Sequence, residues 1–152
     1  MSEPVPWRGP PLFVHRRVVA FSETDAARMV HFSNLFRYLE DCEHAFVRSL
    51  GDTVHGGTAD GGFLGFPRVE ATCRFLRPLR FEDRVEVELR LVERRTRSLR
   101  WGFVVRREGE AAPVAVGAVA VVCVSSGADG ELRPVLLPPV FAELPIDPGG
   151  DS

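Results

Sequence analysis

One long amphipathic segment, lying between a short apolar run and four segments that look like strands, most constrains how this chain can fold. Between residues 32 and 50, apolar side chains recur at intervals of three and four residues, which is typical of a helix with one buried face. Gly51 follows the last of them, where a left-handed residue often ends a helix. We therefore predict a helix over about residues 33–50, with a buried face formed by Phe32, Leu35, Phe36, Leu39, Cys42, Phe46, Val47 and Leu50.

The rest of the chain has the patterns of strands, predicted at 12–22, 66–76, 84–95, 97–107 and 114–124. Apolar residues alternate with polar ones in the third and fourth of these segments, whereas the last is almost wholly apolar, as in a strand buried on both faces. A strand, a helix and four strands indicate an α+β domain with an antiparallel sheet around the helix. We place this single domain at 12–144 and expect flexible termini at 1–11 and 145–152.

The composition argues against a nucleic-acid or membrane partner. The chain has 152 residues and a net charge of −2, so it has no overall basic field. No apolar run reaches the roughly 18 residues needed to cross a bilayer, no signal peptide is evident, and the three cysteines are scattered, as in reduced cytosolic proteins. No dinucleotide fingerprint, phosphate-binding loop or cysteine–histidine cluster occurs. We expect a cytoplasmic protein without cofactor or metal.

The segment from Phe21 to Asn34 holds the candidate chemistry. Asp25 lies in a short loop a few residues before the predicted helix, where unpaired backbone N–H groups and the helix dipole favour negative charge. A carboxylate facing such donors can hydrolyse an activated acyl group, because the donors stabilise the oxyanion that forms. The alternative is that Asp25 only stabilises a turn through its side chain.

These residues resemble the hotdog-fold acyl-CoA thioesterases, in particular the 4-hydroxybenzoyl-CoA thioesterase type. The similarity covers most of residues 13–140 and is strongest in Thr24-Asp25-Ala26-Ala27, Asn34 and Arg37-Tyr38-Leu39-Glu40. It implies a curved antiparallel sheet of five to six strands wrapped around one central helix. It also implies an acyl-CoA substrate and a homodimer or homotetramer whose sheets join edge to edge, with the site at the subunit interface.

The resemblance further implies roles for individual residues. Asp25 matches the nucleophile or general base, and the N–H of Phe32 stands where family members polarise the thioester carbonyl, while we expect the Phe32 ring to lie in the core. Arg28 stands where the family commonly has glycine, so either the loop geometry differs or the side chain projects toward an anionic group of the substrate. The other candidates for substrate binding are Thr24, His31 and Asn34.

Glu43 is unexpected, because its position falls in the middle of the apolar helix face. A carboxylate there must be paired, protonated or next to a cavity. We interpret Glu43 as an interface carboxylate paired with arginine and keep it as a candidate substrate-binding residue. It is also the next candidate for the acid or base if Asp25 is not that group.

Two other functions stay open at this stage. One is hydration or dehydration of an acyl thioester, which usually pairs a histidine with a carboxylate, as His31 and Asp25 could do. The other is a non-catalytic module that binds acyl-CoA. The acyl group is also open, since four phenylalanines could line an aromatic or an aliphatic pocket equally well: Phe32, Phe36, Phe63 and Phe66.

Overall fold

The computed structural model describes residues 5–51, 56–57 and 62–150. Helix α1 spans Ser33–Ser49 and follows strand β1 at Phe13–Val18 and a 3-10 turn at Phe21–Glu23. The later strands are β2 at Gly56–Gly57, β3 at Phe63–Gly65, β4 at Arg68–Phe75, β5 at Arg84–Arg94, β6 at Ser98–Arg107, β7 at Pro113–Val122, β8 at Val124–Ser126 and β9 at Leu132–Pro134. A second 3-10 turn spans Pro139–Phe141.

The strands form two antiparallel sheets. The main sheet has five strands in the order β1-β5-β6-β7-β4, and the smaller sheet has the order β2-β3-β8-β9. The α+β class is confirmed, and the main sheet falls within the predicted five to six strands. The smaller sheet was not predicted, because its strands are only two or three residues long and cannot establish an alternating pattern.

The predicted alternation of β5 and β6 is confirmed in the core. The eight residues that alternate along one face of these strands are each at most 2% exposed: Val85, Val87, Leu89, Leu91, Leu99, Trp101, Phe103 and Val105. They belong to one apolar cluster with the buried face of α1. Tyr38 and Glu43 are buried on that helix as well, so its buried face includes two residues with polar groups.

Two predicted boundaries are wrong. The first strand ends at Val18 rather than continuing to 22, because the chain turns there into the 3-10 turn and the N–H of Ala20 donates to the Glu23 carboxylate at 2.8 Å. The last long strand ends at Val122, and the chain passes through Cys123 into β8 of the smaller sheet. The helix end is as predicted, with Leu50 as the C-cap and Gly51 at a φ of 81°.

Both chain ends lie against the main sheet where the structure describes them. Trp7 is 9% exposed, and its ring lies so close to Gly102 that a Cβ there would come within 2.6 Å of it. The N–H of Gly9 donates to the Asp147 carboxylate at 2.7 Å, and the N–H of Gly150 to the Pro6 carbonyl at 3.0 Å. The predicted flexible segments thus contain residues that contact the sheet and each other.

Candidate active site

The loop between β1 and α1 is closed on itself by backbone hydrogen bonds. Thr24 and Val30 form an antiparallel bridge, the N–H of Asp25 donates to the Met29 carbonyl at 2.9 Å, and the N–H of Arg28 to the Asp25 carbonyl at 2.9 Å. Arg28 has a φ of 61°, so the loop adopts at this position the left-handed conformation that glycine adopts most easily. The substitution therefore preserves the turn and introduces local strain.

The carboxylate of Asp25 is held through one of its two oxygens. Oδ1 accepts the N–H of Ala27 at 2.8 Å and that of Met29 at 3.4 Å. Oδ2 forms no hydrogen bond with any of the described residues. The turn-stabilising role and a chemical role are therefore compatible, because each can use a different oxygen of the same side chain.

The start of helix α1 presents a free backbone donor next to this loop. The N–H of His31 donates to the Glu23 carbonyl at 2.9 Å, and that of Ser33 to Nδ1 of His31 at 3.3 Å. Between them, the N–H of Phe32 has no acceptor in the part of the chain that the structure describes. An unpaired N–H at a helix N-terminus, with the dipole behind it, is suited to an oxyanion.

Asp25 and Phe32 line the same open cavity of about 360 Å³. Its other lining residues are mostly apolar: Met29, Val30, Leu35, Phe75, Leu76, Arg77, Pro78, Leu79, Val114 and Ala115. The ring of Phe75 meets those of Phe32 and Phe36 edge to face, with centroids 6.0 and 6.4 Å apart. The cavity therefore has an aromatic wall and is lined by two residues that each have an unpaired polar group, Asp25 and Phe32.

The expectation that the Phe32 ring lies in the core is wrong. The residue is 59% exposed, because it precedes the first turn of the helix, and its ring contacts those of Phe75 and His31 instead of the core. Phe66, another candidate for the acyl pocket, is buried against Phe141, with ring centroids 5.7 Å apart. The cavity wall contains Phe75 of β4 and does not contain Phe66.

Four predicted substrate-binding residues are not among those that line the cavity. The Thr24 hydroxyl donates to the Phe21 carbonyl at 2.7 Å, and the side-chain amide of Asn34 to the Glu23 carbonyl at 2.8 Å. Nδ1 of His31 accepts from Ser33, so this nitrogen is occupied, and no hydrogen bond joins His31 to Asp25 among the described residues. Arg28 is exposed, and the Arg80 guanidinium lies 3.5 Å from its carbonyl.

Glu43 lies on α1 outside the cavity lining. Its oxygens accept two hydrogen bonds from the Arg68 guanidinium, at 3.1 and 2.7 Å, so the predicted pairing with arginine is found within the chain. Burial raises the pKa of the Glu43 carboxyl, and the nearby Arg68 opposes that rise. Both oxygens are occupied, which gives this carboxylate no free atom for substrate.

Sequence reasoning did not identify four residues that shape the site. Phe75 forms the aromatic wall, and Arg17, Glu23 and Tyr38 form a hydrogen-bonded group behind the loop. A signal existed for Glu23, which is the acidic residue two positions before Asp25. The sequence alone could not place Phe75 at the site, because β4 comes close to the start of α1 only once the strands are assembled in the order of the main sheet.

The described residues hold no cluster of three or more histidine, cysteine, aspartate and glutamate side chains that could bind a metal ion. Among the same residues, no helix is long and apolar enough to cross a membrane.

Residues 19–144 match the thioesterase-like superfamily. A protein of Aquifex aeolicus described as an esterase is 38% identical over 96 residues, which is 63% of this chain and 73% of that protein. The 1,4-dihydroxy-2-naphthoyl-CoA hydrolase of Thermosynechococcus vestitus is 35% identical over 79 residues, covering 52% of this chain and 53% of the relative. The match therefore spans about half the length of that cyanobacterial protein.

The similarity extends to three-dimensional structure. The solved structure of BH1999 gentisyl-coenzyme A thioesterase is similar to this chain with a TM-score of 0.68 at 26% identity, covering 85% of this chain and 98% of that one. The segment 19–144 that matches the superfamily includes the Asp25 loop, helix α1 and the strands from β2 to β9.

Proposed function

The chain belongs to the thioesterase-like superfamily and is a thioester hydrolase, and on this premise we propose that it converts acyl-CoA and water to a free acid and CoA. Asp25 acts on the thioester carbonyl carbon or on the attacking water, and the N–H of Phe32 stabilises the oxyanion. The observation that carries the proposal is that both residues line one cavity, while Oδ2 of Asp25 and the N–H of Phe32 have no partner among the described residues.

Two chemical routes are compatible with this arrangement. As a nucleophile, Oδ2 attacks the carbonyl carbon and forms an anhydride with the acyl group, the CoA thiolate leaves, and water then hydrolyses the anhydride. As a general base, the carboxylate takes a proton from water, which attacks the same carbon, and the tetrahedral intermediate then breaks its C–S bond and releases CoA, whose sulfur takes up the proton. In both routes negative charge develops on the carbonyl oxygen, where the Phe32 N–H and the helix dipole stabilise it.

The acyl group of the substrate is aromatic in this proposal. Edge-to-face contacts are the arrangement that aromatic rings favour, and Phe32, Phe36 and Phe75 already meet in this way beside the cavity. A volume of about 360 Å³ is enough for a ring system of one or two rings. Two relatives are named for aromatic acyl groups, dihydroxynaphthoyl and gentisyl, which supports the same class here.

The polar residues around the cavity have separate roles in the proposal. Arg28 at its rim binds an anionic group of the substrate, either a CoA phosphate or a polar substituent. His31 borders the entrance, while Thr24 and Asn34 support the loop and the helix start that contact the substrate. Glu43 contributes to the substrate-binding region only indirectly, by fixing helix α1 against β4 through Arg68.

An oligomer completes the site. Strand β4 is an edge of the main sheet and is mostly exposed, and an uncovered edge of this length is suited to pair with another strand. Phe75, which ends β4, belongs to the cavity wall, so pairing at this edge brings a second subunit next to the substrate. We propose a homodimer or homotetramer with the site at the subunit interface, acting in the cytoplasm.

Thiol release from a set of acyl-CoA substrates tests the proposal. The set contains short, medium and long acyl chains, benzoyl and hydroxynaphthoyl, and is measured with the wild type and Asp25→Asn. We expect turnover of the aromatic members and a kcat about 10² to 10⁴ times lower in Asp25→Asn. Asn keeps the Oδ1 acceptor of the turn, so the loop stays closed.

Asp129→Asn is the matched control, because Asp129 lies in a surface turn where it accepts from the Glu131 N–H and Arg133. This variant is expected to keep the wild-type kcat. An unaffected Asp25→Asn would refute the role of Asp25. Tight acyl-CoA binding without thiol release would instead identify a binding module.

A further inference from the structure

Glu23 connects the two halves of the site through its side chain and its backbone. Its carboxylate accepts three hydrogen bonds, from the Arg17 guanidinium at 2.6 Å, the Tyr38 hydroxyl at 2.9 Å and the Ala20 N–H at 2.8 Å. These donors come from strand β1, from helix α1 and from the start of the 3-10 turn. Three segments that are separate in sequence therefore meet at one side chain.

The backbone carbonyl of Glu23 makes the second set of contacts. It accepts the N–H of His31 at 2.9 Å and the side-chain amide of Asn34 at 2.8 Å. His31 directly precedes Phe32, whose N–H is the proposed oxyanion donor, and Asp25 follows Glu23 by two residues. Glu23 is thus hydrogen-bonded to the residue just before Phe32 and lies two residues before Asp25 in the chain.

The neighbours of Glu23 are themselves fixed in place. Tyr38 is fully buried, and the Arg17 guanidinium lies 3.7 Å from the centroid of its ring. Burial, with the adjacent Glu23 carboxylate, raises the pKa of the Tyr38 hydroxyl, so it remains a donor at neutral pH. Arg17 also pairs with Asp41 at 2.9 Å. These contacts leave the Glu23 side chain little freedom to move.

We infer that Glu23 is a positioning residue that sets the geometry between the Asp25 carboxylate and the Phe32 N–H, through its contacts with Arg17, Tyr38 and the helix start. This inference rests on the proposed function. Catalysis of acyl transfer depends on that geometry, since a displacement of about 1 Å can lower a rate about 10²-fold. The loop is also held from outside by the Leu79 carbonyl, which accepts the Val30 N–H at 2.7 Å, but Glu23 is the residue that joins the loop to helix α1.

Four variants test the inference, with kcat and KM measured on folded protein well below the melting temperature. Glu23→Ala removes all three side-chain contacts and is expected to lower kcat about 10-fold to 100-fold with KM within about threefold of wild type. Glu23→Gln keeps an acceptor for Tyr38 and Ala20 and should recover part of the loss. Tyr38→Phe removes one donor and should lower kcat by a smaller factor.

Asp41→Asn is the matched control, because it removes the other ion pair of Arg17 without touching the loop. It should leave kcat unchanged. Amide resonances of Ala27, Met29 and Phe32 give a readout independent of turnover: we expect them to shift in Glu23→Ala and to stay in place in Asp41→Asn.

The outcomes separate this inference from the proposed function. If Glu23→Ala lowers only the melting temperature, with kcat per folded molecule within twofold of wild type, Glu23 is a structural ion pair and the inference is wrong. If Glu23→Ala does not fold, a wild-type kcat in both Tyr38→Phe and Glu23→Gln overturns the inference in the same way. If the wild type releases no thiol, or Asp25→Asn is fully active, the proposed function fails first and the inference fails with it.

Discussion

Two carboxylates lie along one continuous segment of this molecule and differ in whether one of their oxygens is free of hydrogen bonds. Asp25 precedes helix α1, is half-buried, and bonds through Oδ1 to two amides of its own loop. Glu43 lies inside the helix, is 2% exposed, and has both oxygens hydrogen-bonded to Arg68. One carboxylate has a free oxygen at a cavity, and the other has none.

Under the proposed function, burial is a poor guide to reactivity in this fold. A shifted pKa commonly marks a functional group, and by that criterion Glu43 would be preferred, since burial raises its pKa. Both of its oxygens nevertheless already accept hydrogen bonds from the Arg68 guanidinium. The better guide is an unpaired polar group on a residue that lines a cavity, and both Asp25 and Phe32 have one.

The largest expected effect contrasts removal of each carboxylate. Asp25→Ala should lower kcat about 10³-fold and the free energy of unfolding by only about 1 kcal/mol, because it loses loop hydrogen bonds near the surface. Glu43→Ala should lower the free energy of unfolding by about 1–3 kcal/mol, because Arg68 loses two hydrogen bonds to a buried acceptor but keeps its ion pair with Glu40. The kcat of the folded Glu43→Ala protein should fall less than that of Asp25→Ala. Urea denaturation and thiol release measure the two quantities.

The double variant Glu43→Leu with Arg68→Met is the control for this contrast. It removes both charges together, so it should be more stable than Glu43→Ala. A larger loss of kcat in folded Glu43→Ala than in Asp25→Ala would reverse the assignment of the two carboxylates.

The sequence predicted the parts of this contrast that depend on periodicity. Helical spacing located α1 and showed that Glu43 falls on its buried face, and alternation identified the inward residues of β5 and β6. The sequence could not show that Arg68 is the partner of Glu43, since the two are joined only by the packing of β4 against the helix. For the same reason, the sequence could not show that Phe75 lies in the cavity wall.

The position of the Phe32 ring was mispredicted for a different reason. Helical spacing extends the apolar face back to residue 32, but the helix starts at Ser33, and a residue before the first turn need not follow the direction of the face. The role proposed for Phe32 uses only its backbone, so this error does not affect it.

The second prediction tests the backbone donor. Phe32→Pro removes the N–H at a residue whose φ is −52°, close to the value of about −65° that proline imposes. We expect kcat to fall about 10²-fold to 10³-fold, the effect of removing one oxyanion donor. Thiol release at saturating substrate measures it.

Phe32→Ala is the control, because it keeps the N–H and removes the ring. It should change mainly KM, since the ring contributes to the cavity wall. Equal kcat values for Phe32→Pro and Phe32→Ala would show that the N–H is not the oxyanion donor.

The smallest expected effect comes from backbone strain, which the described residues show at two side-chain-bearing positions with positive φ, Arg28 and Glu82. A left-handed conformation costs about 1–2 kcal/mol in a residue with a Cβ, and glycine's larger loss of chain entropy offsets about 0.5–1 kcal/mol of that gain. Arg28→Gly and Glu82→Gly should therefore raise the free energy of unfolding by similar amounts, up to about 1 kcal/mol. Glu82 lies outside the cavity lining, so it controls for strain alone. The same two variants separate strain from substrate binding. If Arg28 binds an anionic group of the substrate, only Arg28→Gly should raise KM, by roughly threefold to tenfold at low salt and less at high salt. Equal KM values in both variants would show that Arg28 has no role in substrate binding and that backbone strain is its only measurable effect.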